Sequence, residues 1–493
     1  MNENARAEGL PQTIHGPMPD GGGALPLCVD LDGTLVKSDT LLDALLVLAR
    51  KRPALLLQLP GRVTHGKAAF KAFVTESVQL DVRHLPYNRP LLNYLQQQRV
   101  AGRTIYLATG ADGALAQRVA THLAIFKGVL ASDGATNLIG KNKLDRLRAQ
   151  MGAEGFGYIG NARPDLPLLA HAAEAMVANP TLGLRWGLRA RGIRPIQEFI
   201  ERRPLVPSLL KAIRLHQWSK NLLIFLPLLM SHQLSAAALM TALLAFLCFS
   251  LTASATYIVN DMLDIDADRR HPRKRQRPFA AGDLSPFAGL GVVAACLLTA
   301  LAGARLLPVG FYLWLLVYLG TTLAYTLYLK RMALVDVLVL AGLYTLRLQA
   351  GGAATQTPIS HWLAGFAIFL FLSLAFVKRF AELENLRASG NPPRNGRGYL
   401  VADIEQLRAF GTSSAYAAVV VFALYINGRD VTALYRNPPL LWGIAPLMVL
   451  WLSRVWLLAS RGELNEDPVL FALTDRMSIL IGLAVAAIAW LAI

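Results

Sequence analysis

Residues 260–282 read NDMLDIDADRRHPRKRQRPFAAG. Four Asp lead the stretch and six Lys or Arg follow, in a half of the chain that is otherwise apolar. A single charge at the centre of a membrane helix costs about 2.5–3.5 kcal/mol. Ten charges in one segment therefore belong where a helix leaves the bilayer. Asn260, Asp261, Asp264 and Asp268 follow one another at spacings that place them on one helical face. Asp266 points elsewhere and reads as solvated.

Working outward, the composition supports a membrane protein. The chain has 493 residues, 54% hydrophobic and only 16% charged, with a formal charge of +17. Mean hydropathy is +0.40. Apolarity combined with positive charge fits basic cytosolic loops. Nucleic-acid binding is disfavoured, because no basic stripe alternates with an aromatic platform. Cys28, Cys248 and Cys296 lie far apart, without disulfide or metal spacing. The first 25 residues lack a signal-peptide core, so the N-terminal half is expected in the cytosol.

Composition changes near residue 205. Beyond it lie nine apolar candidate spans, near 209–231, 236–259, 285–304, 309–329, 333–350, 361–377, 409–427, 439–459 and 476–493. The first is the least regular, since Lys211, Arg214 and Lys220 crowd its opening turns beside Trp218. Loops 260–282, 330–331, 378–408 and 461–476 hold sixteen Lys or Arg, whereas the alternate loops hold only Arg305, Arg429 and Arg436. The positive-inside rule puts the first set, and the N-terminal half with it, in the cytosol.

The expected division is a flexible N-terminus at 1–23, with Gly21 to Gly23 as lead-in, an α/β domain at 24–180, a basic interfacial linker at 181–207 and a membrane domain at 208–493. The linker carries Arg185, Arg189, Arg191, Arg194, Arg202 and Arg203, which suit either solvent or anionic headgroups.

ALPLCVDLDGTLV, 24–36, reads as a buried strand ending in a turn. Asp30 and Asp32 are two apart, so both can face one side. Such a pair can bind Mg²⁺ while one Asp attacks phosphorus and the other shuttles a proton. The stretch resembles the DxDGT signature of the haloacid dehalogenase (HAD) superfamily of phosphatases. Later elements follow that family's order: TIYLATG at 104–110, SDGATNLIGKNK at 132–143 and FGYIGNARPDLPLL at 156–169. The resemblance implies that Thr109 holds the phosphoryl group, that Lys143, or else Lys141, neutralises charge, and that Asp165 joins Asp30 and Asp32 at Mg²⁺. It also implies a helical cap from 38–100. Asn161 stands where the family usually has Asp, and offers a carbonyl oxygen without charge. An active phosphatase and an inactive scaffold are both open on these residues.

In the membrane half, clustered carboxylates need cations between them, and two Mg²⁺ with a diphosphate would supply these. His271 to Arg277, Lys274 included, can hold phosphate oxygens. The pattern resembles the NDxxDxxxD motif of the UbiA superfamily of intramembrane prenyltransferases. That resemblance implies metal binding by Asp261, Asp264 and Asp268 and by a second motif within 325–352, where Tyr328, Lys330, Asp336 and Arg347 stand and Asp336, the one Asp present, is the metal-ligand candidate. KAIRLHQWSKNLLIFLPLL at 211–229, DIDADRRHPRKRQRPFAAG at 264–282, FVKRFAEL at 376–383 and GELNEDPVLFALTDR at 462–476 look like the decaprenyl-phosphate phosphoribosyltransferase branch. Those enzymes move 5-phosphoribose from phosphoribosyl diphosphate (PRPP) to a polyprenyl phosphate. The substrate-binding candidates are Lys220, Asn260, Arg269, Lys274, Arg277, Lys330, Arg347, Lys378 and Arg379, with Asn221 and Glu382 orienting them.

The expected molecule is thus an α/β HAD-like (Rossmannoid) cytosolic domain with a helical cap, followed by an all-α integral membrane bundle of about nine transmembrane helices. It would be a bifunctional Mg²⁺ enzyme, with an oligomer compatible with the sequence. Its phosphatase half would remove the 5-phosphate from the transferase product. The rival reading is an aromatic prenyltransferase using a polyprenyl diphosphate donor. A non-catalytic scaffold or transporter is a third, disfavoured because transporters place ionisable groups near the midplane.

Overall fold

The computed structural model describes residues 12–13, 25–151, 155–232, 234–388, 397–464 and 468–493. The chain divides into two compact units. One joins Met1–Ile213 to Tyr257–Val292, and the other joins Arg214–Thr256 to Val293–Ile493.

The first unit is built on a parallel sheet. Its strands are β1 (Gln12–Thr13), β2 (Leu27–Val29), β3 (Ile105–Asp112), β4 (Gly128–Ser132), β5 (Gly157–Gly160), β6 (Glu174–Ala178) and β7 (Gln197–Phe199), in the order β1-β4-β3-β2-β5-β6-β7. Leu27, Cys28 and Val29 are fully buried, as a central strand covered on both faces requires. Val29 pairs with Leu107 on one side and Ile159 on the other. The chain builds outward from β2 in both directions, so β2 marks the point where strand order reverses. In open α/β sheets the crevice beyond the strand C-termini at that point is where ligands bind.

Between β2 and β3 the chain forms helices Thr40–Lys51, Leu59–Thr64 and Lys67–Ser77 before Arg89–Val100. Asp39 caps the first, accepting from the amides of Leu41 and Leu42. Arg89–Val100 leads directly into β3 and buries Leu91, Leu92 and Leu95, as an ordinary crossover helix does.

The basic segment 181–207 has more structure than a linker. Leu182–Ala190 is a helix that buries Leu184 and Leu188 in the same core as Tyr158 and Val177, and β7 extends the sheet to Phe199. Arg185 and Arg189 lie on this helix, outside that core. Of the expected flexible N-terminus, residues 12–13 pair with β4, and the rest lies outside the described residues.

The second unit is helical. Among the described residues seven helices, against the nine spans expected, are long and apolar enough to cross a membrane: Ala236–Leu263, Pro286–Ala304, Val309–Leu327, Val335–Thr355, His361–Ala388, Val401–Ile426 and Pro438–Ser460. The ends of the first two belong to the other unit. Arg476–Ala492 is apolar but shorter. The first expected span, 209–231, is broken into Leu205–Ile213, a 3-10 stretch Leu215–Phe225 and Leu226–Met230. Arg214 adopts a left-handed φ of 56° at the first break, where an α-helix cannot continue. Gly351 lets helix Val335–Thr355 approach this stretch, since a Cβ there would lie 2.2 Å from the carbonyl oxygen of Ile224. The bundle core gathers Val337, Leu374, Phe380 and Trp456. Trp456 donates its indole N–H to Ser373 Oγ at 3.1 Å, which satisfies its one buried polar atom. Leu298, Leu313, Val420, Leu483 and Trp490 are exposed, as lipid-facing side chains would be.

Candidate functional sites

The strand ends of the first unit converge on a cavity of about 380 Å³. Asp30 follows β2 directly, and its amide donates to the carbonyl of Ile159 at 3.0 Å. Lys143, on helix Lys141–Met151, places Nζ 2.7 Å from Asp30 Oδ1 and 3.8 Å from Asp165 Oδ1. Its ammonium also donates to Tyr158 at 3.0 Å, and the Tyr158 hydroxyl donates to Asp165 at 2.8 Å. The amides of Asn161 and Ala162 fix the other Asp165 oxygen at 3.0 Å each. Asp32 accepts from the Thr40 amide at 2.8 Å.

Electrostatics separate the two leading carboxyls. Burial pushes Asp30 up to about 6 against the opposing pull of Lys143. Burial, then the nearby Asp39, pushes Asp32 up to about 8. Burial alone would lower Lys143, but Asp30 and Asp165 more than offset it and hold it above the ordinary lysine value. The buried sites thus pair an anionic group with a proton-bearing one.

Asn161 lines the cavity and lies over Gly33, where a Cβ would come within 2.0 Å of its amide nitrogen. Gly33 also has a φ of 76°, so two constraints demand glycine there. Thr109 is fully buried in β3 and accepts from the Ala111 amide at 3.0 Å. Gly110, Ala111 and Asp112 line the cavity in its place. Among the described residues no cluster of three His, Cys, Asp or Glu converges on one ion position. Mg²⁺ needs only one or two carboxylates beside water and phosphate oxygens. Asp30 and Asp32, with the Asn161 amide oxygen, meet that need.

The Asp-rich stretch lies where helix Ala236–Leu263 ends and Ile265–Arg270 begins. Asp261 and Asp268 are 2% and 3% exposed, and Arg277 Nη1 reaches both, at 3.0 and 2.7 Å. Burial holds Asp268 above the ordinary carboxylate range, with Arg277 opposing. Asp264 instead pairs with Arg50, while Asp266 pairs with Lys51 and Arg270. Arg269 turns to a buried partner, Asp43, at 2.8 Å, and donates to Ser38 Oγ at 3.0 Å and to the Ala280 carbonyl at 3.1 Å. Lys274 opens the short 3-10 turn Lys274–Gln276, and the same stretch supplies Ile265, Phe279 and Leu284 to the cavity wall.

In the second unit Asp336 is fully buried. Arg379 Nε lies 2.7 Å from one oxygen, while Tyr325 donates to the other at 2.6 Å and Arg397 stands 3.5 Å from it. Glu382 pairs with Arg379 and lies 3.7 Å from Arg397. Sequence reasoning missed Tyr325 and Arg397. The only signal for Arg397 was its place in an arginine-rich loop. Lys330 is buried on the turn Leu329–Arg331, and Lys378 precedes Arg379 on its helix. Arg347 lies about 16 Å along the helix from Asp336. It donates to Asn221 at 2.8 Å and to Tyr318 at 3.2 Å, within 5.4 Å of the rings of Phe249, Tyr318 and Tyr344. Lys220 adjoins Asn221 in the 3-10 stretch.

A bundle of membrane-length helices attached to a parallel α/β domain defines an integral membrane protein. The chain belongs to the UbiA prenyltransferase family, whose model matches residues 222–490. An uncharacterized protein of Sinorhizobium fredii, y4nM, is 38% identical over 94% of this chain and 90% of its own length. The decaprenyl-phosphate phosphoribosyltransferase of Mycobacterium tuberculosis is 34% identical over 58% of this chain and 93% of its own. A solved UbiA homolog from Archaeoglobus fulgidus, bound to DMAPP and Mg²⁺, is similar at 19% identity and a TM-score of 0.45, over 57% of this chain and 98% of that one.

Proposed function

We propose that the membrane half transfers 5-phosphoribose from PRPP to a polyprenyl phosphate, and that the α/β half removes the 5-phosphate from the product. The carrying observation is the pair of buried carboxylates, Asp261 and Asp268, joined through Arg277. Two carboxylates and a guanidinium on one short segment suit a metal-bound diphosphate. The likeness to decaprenyl-phosphate phosphoribosyltransferase over nearly all of that protein supports the choice of donor and acceptor. The pair of guanidiniums, Arg379 and Arg397, at Asp336 supports a phosphate-rich donor.

In the transfer, the anomeric C–O bond to diphosphate breaks and an oxygen of the polyprenyl phosphate forms the new bond. Diphosphate departs, and the acceptor is already anionic and needs no strong base. Asp261 and Asp268, with the Asn260 carbonyl oxygen, would hold the Mg²⁺ that neutralises the leaving diphosphate, while Asp264, expected as a third ligand, is taken by Arg50. Arg277 and Lys274 hold phosphate oxygens.

In the α/β half, the Asp30 carboxylate attacks phosphorus and the ester O–P bond breaks. Asp32 gives its proton to the departing alkoxide, and then takes one from the water that cleaves the aspartyl phosphate. Inorganic phosphate leaves and Asp30 is restored. Asp30 and Asp32, with the Asn161 amide oxygen, would hold Mg²⁺ to offset phosphoryl charge; Asp165, expected as a third ligand, is instead held by Tyr158 and the Asn161 and Ala162 amides. Lys143 keeps Asp30 ionised.

The test supplies labelled PRPP and polyprenyl phosphate to the purified protein, with mass analysis of the lipid. Lipid-linked phosphoribose, followed by its dephosphorylation, is expected. No lipid-linked label, with prenylation of an aromatic acid from a polyprenyl diphosphate, would replace this reading with the aromatic prenyltransferase.

A further inference from the structure

The cavity beyond Asp30 holds two cations that the phosphatase chemistry leaves unused. Lys71, on helix Lys67–Ser77, donates to the Gly110 carbonyl at 2.6 Å and to Asn137 Oδ1 at 2.9 Å, both neutral acceptors. Arg202, just past β7, donates from Nη2 to the Lys37 carbonyl, while its Nε is buried with no hydrogen-bond partner. Both side chains line the cavity. Among the described residues neither has a carboxylate within 4.0 Å: the acids nearest in charge are Asp32 and Asp39 for Lys71 and Asp283 for Arg202. Asp283 is itself shared by Lys37 at 3.9 Å and Arg203 at 3.8 Å.

Two cationic side chains that line one cavity and donate only to neutral oxygens are set to take an anion. The phosphoryl group is already served by Lys143 and the carboxylates. A second pair of cations in the same cavity therefore calls for a second negative charge on the substrate.

We propose that Arg202 and Lys71 form a subsite for that charge, so that the cavity selects phosphomonoesters whose alcohol part carries another anionic group, such as a second phosphate. The inference rests on the phosphatase reading and names its substrate class. A sugar bearing a 5-phosphomonoester and a phosphate at its anomeric carbon has this form. The same step applies: the ester O–P bond breaks, water supplies the hydroxyl that ends on phosphate, and the second anion is untouched.

The experiment compares ribose 1,5-bisphosphate with ribose 5-phosphate as substrates of the full chain, following release of the 5-phosphate. The expected kcat/KM is about 10-fold higher for the bisphosphate, the scale of one charge-assisted hydrogen bond. In Arg202→Gln and in Lys71→Met the ratio falls toward one. Equal kcat/KM for the two sugars in the wild type, or a preference that survives both substitutions, overturns the proposal. A binding arm uses Asp30→Asn protein and calorimetry with both sugars. Tighter binding of the bisphosphate that depends on Arg202 supports the subsite even where turnover is absent. Phosphate release that is equal in wild type and Asp30→Asn sinks the phosphatase reading instead, so the two failures are distinct.

Discussion

Lys143 Nζ sits 2.7 Å from Asp30 Oδ1, with both side chains buried beneath the crevice of the parallel sheet. Strand β2 delivers the carboxylate and a helix more than one hundred residues later delivers the ammonium. Burying either charge alone would be costly. Together they leave a paired carboxylate facing a cavity, in a surrounding that favours the protonated form of Asp32.

Asp30→Asn should lower phosphate release from the lipid-linked product by at least ~10³-fold, as loss of a nucleophile does, while transfer from PRPP continues. Mass analysis of the lipid distinguishes the two steps, with the phosphorylated product accumulating. Loss of both activities at once would argue against separate sites.

The stability of the α/β domain without divalent metal should fall as pH rises from about 4 toward 8. The folded Asp32 keeps its proton up to about 8, whereas the unfolded residue loses it near 3.9. Between those values the folded state binds more protons, so raising the pH favours unfolding. Thermal melts over this range should show a shallower slope in Asp32→Asn. Added Mg²⁺ should flatten the wild-type slope as well, because the cation offsets the carboxylate charge.

Arg277→Ala should reduce the transferase kcat/KM for PRPP by about 10- to 100-fold, since it removes a guanidinium shared by two buried carboxylates. Arg277→Lys should recover part of this loss. Steady-state kinetics at several Mg²⁺ concentrations would check it, with wild-type kcat/KM in the alanine variant counting against a role at the diphosphate.

Asp336→Ala should destabilise the bundle by about 3–5 kcal/mol, because Arg379 is 1% exposed and would lose its buried partner. Tyr325→Phe, which removes one hydrogen bond to the same carboxylate, should cost about 1 kcal/mol. Unfolding in detergent would rank the two variants, and a reversed order would mean that Asp336 is not the anchor of this network.

Parts of this were readable from the residues. LCV in β2 and IYLA in β3 are continuous apolar runs, the mark of strands buried on both faces. The Asp30 and Asp32 pair stands at the end of such a run, so its place at a strand end followed directly. Long apolar helices were equally plain. The segment 181–207 was not, because its arginines hide an amphipathic helix whose Leu184 and Leu188 carry the packing. Nor was the broken stretch before residue 231, where a left-handed Arg214 interrupts an otherwise apolar run. Asp261 and Asp268 share Arg277, whereas Asp264, expected on the same face, pairs with Arg50, a residue no local pattern connects to it.

The sequence by itself determined that this chain joins an α/β domain to a membrane bundle, and that Asp-rich turns stand at their edges, because periodicity and hydropathy are local properties of the chain. Tertiary structure alone decided which charges meet: Lys143 with Asp30, Arg277 with two aspartates, Arg269 with Asp43, and Arg379 and Arg397 with Asp336. Buried charges must find partners across the fold, and those partners are set by how distant segments pack, which no window of sequence records.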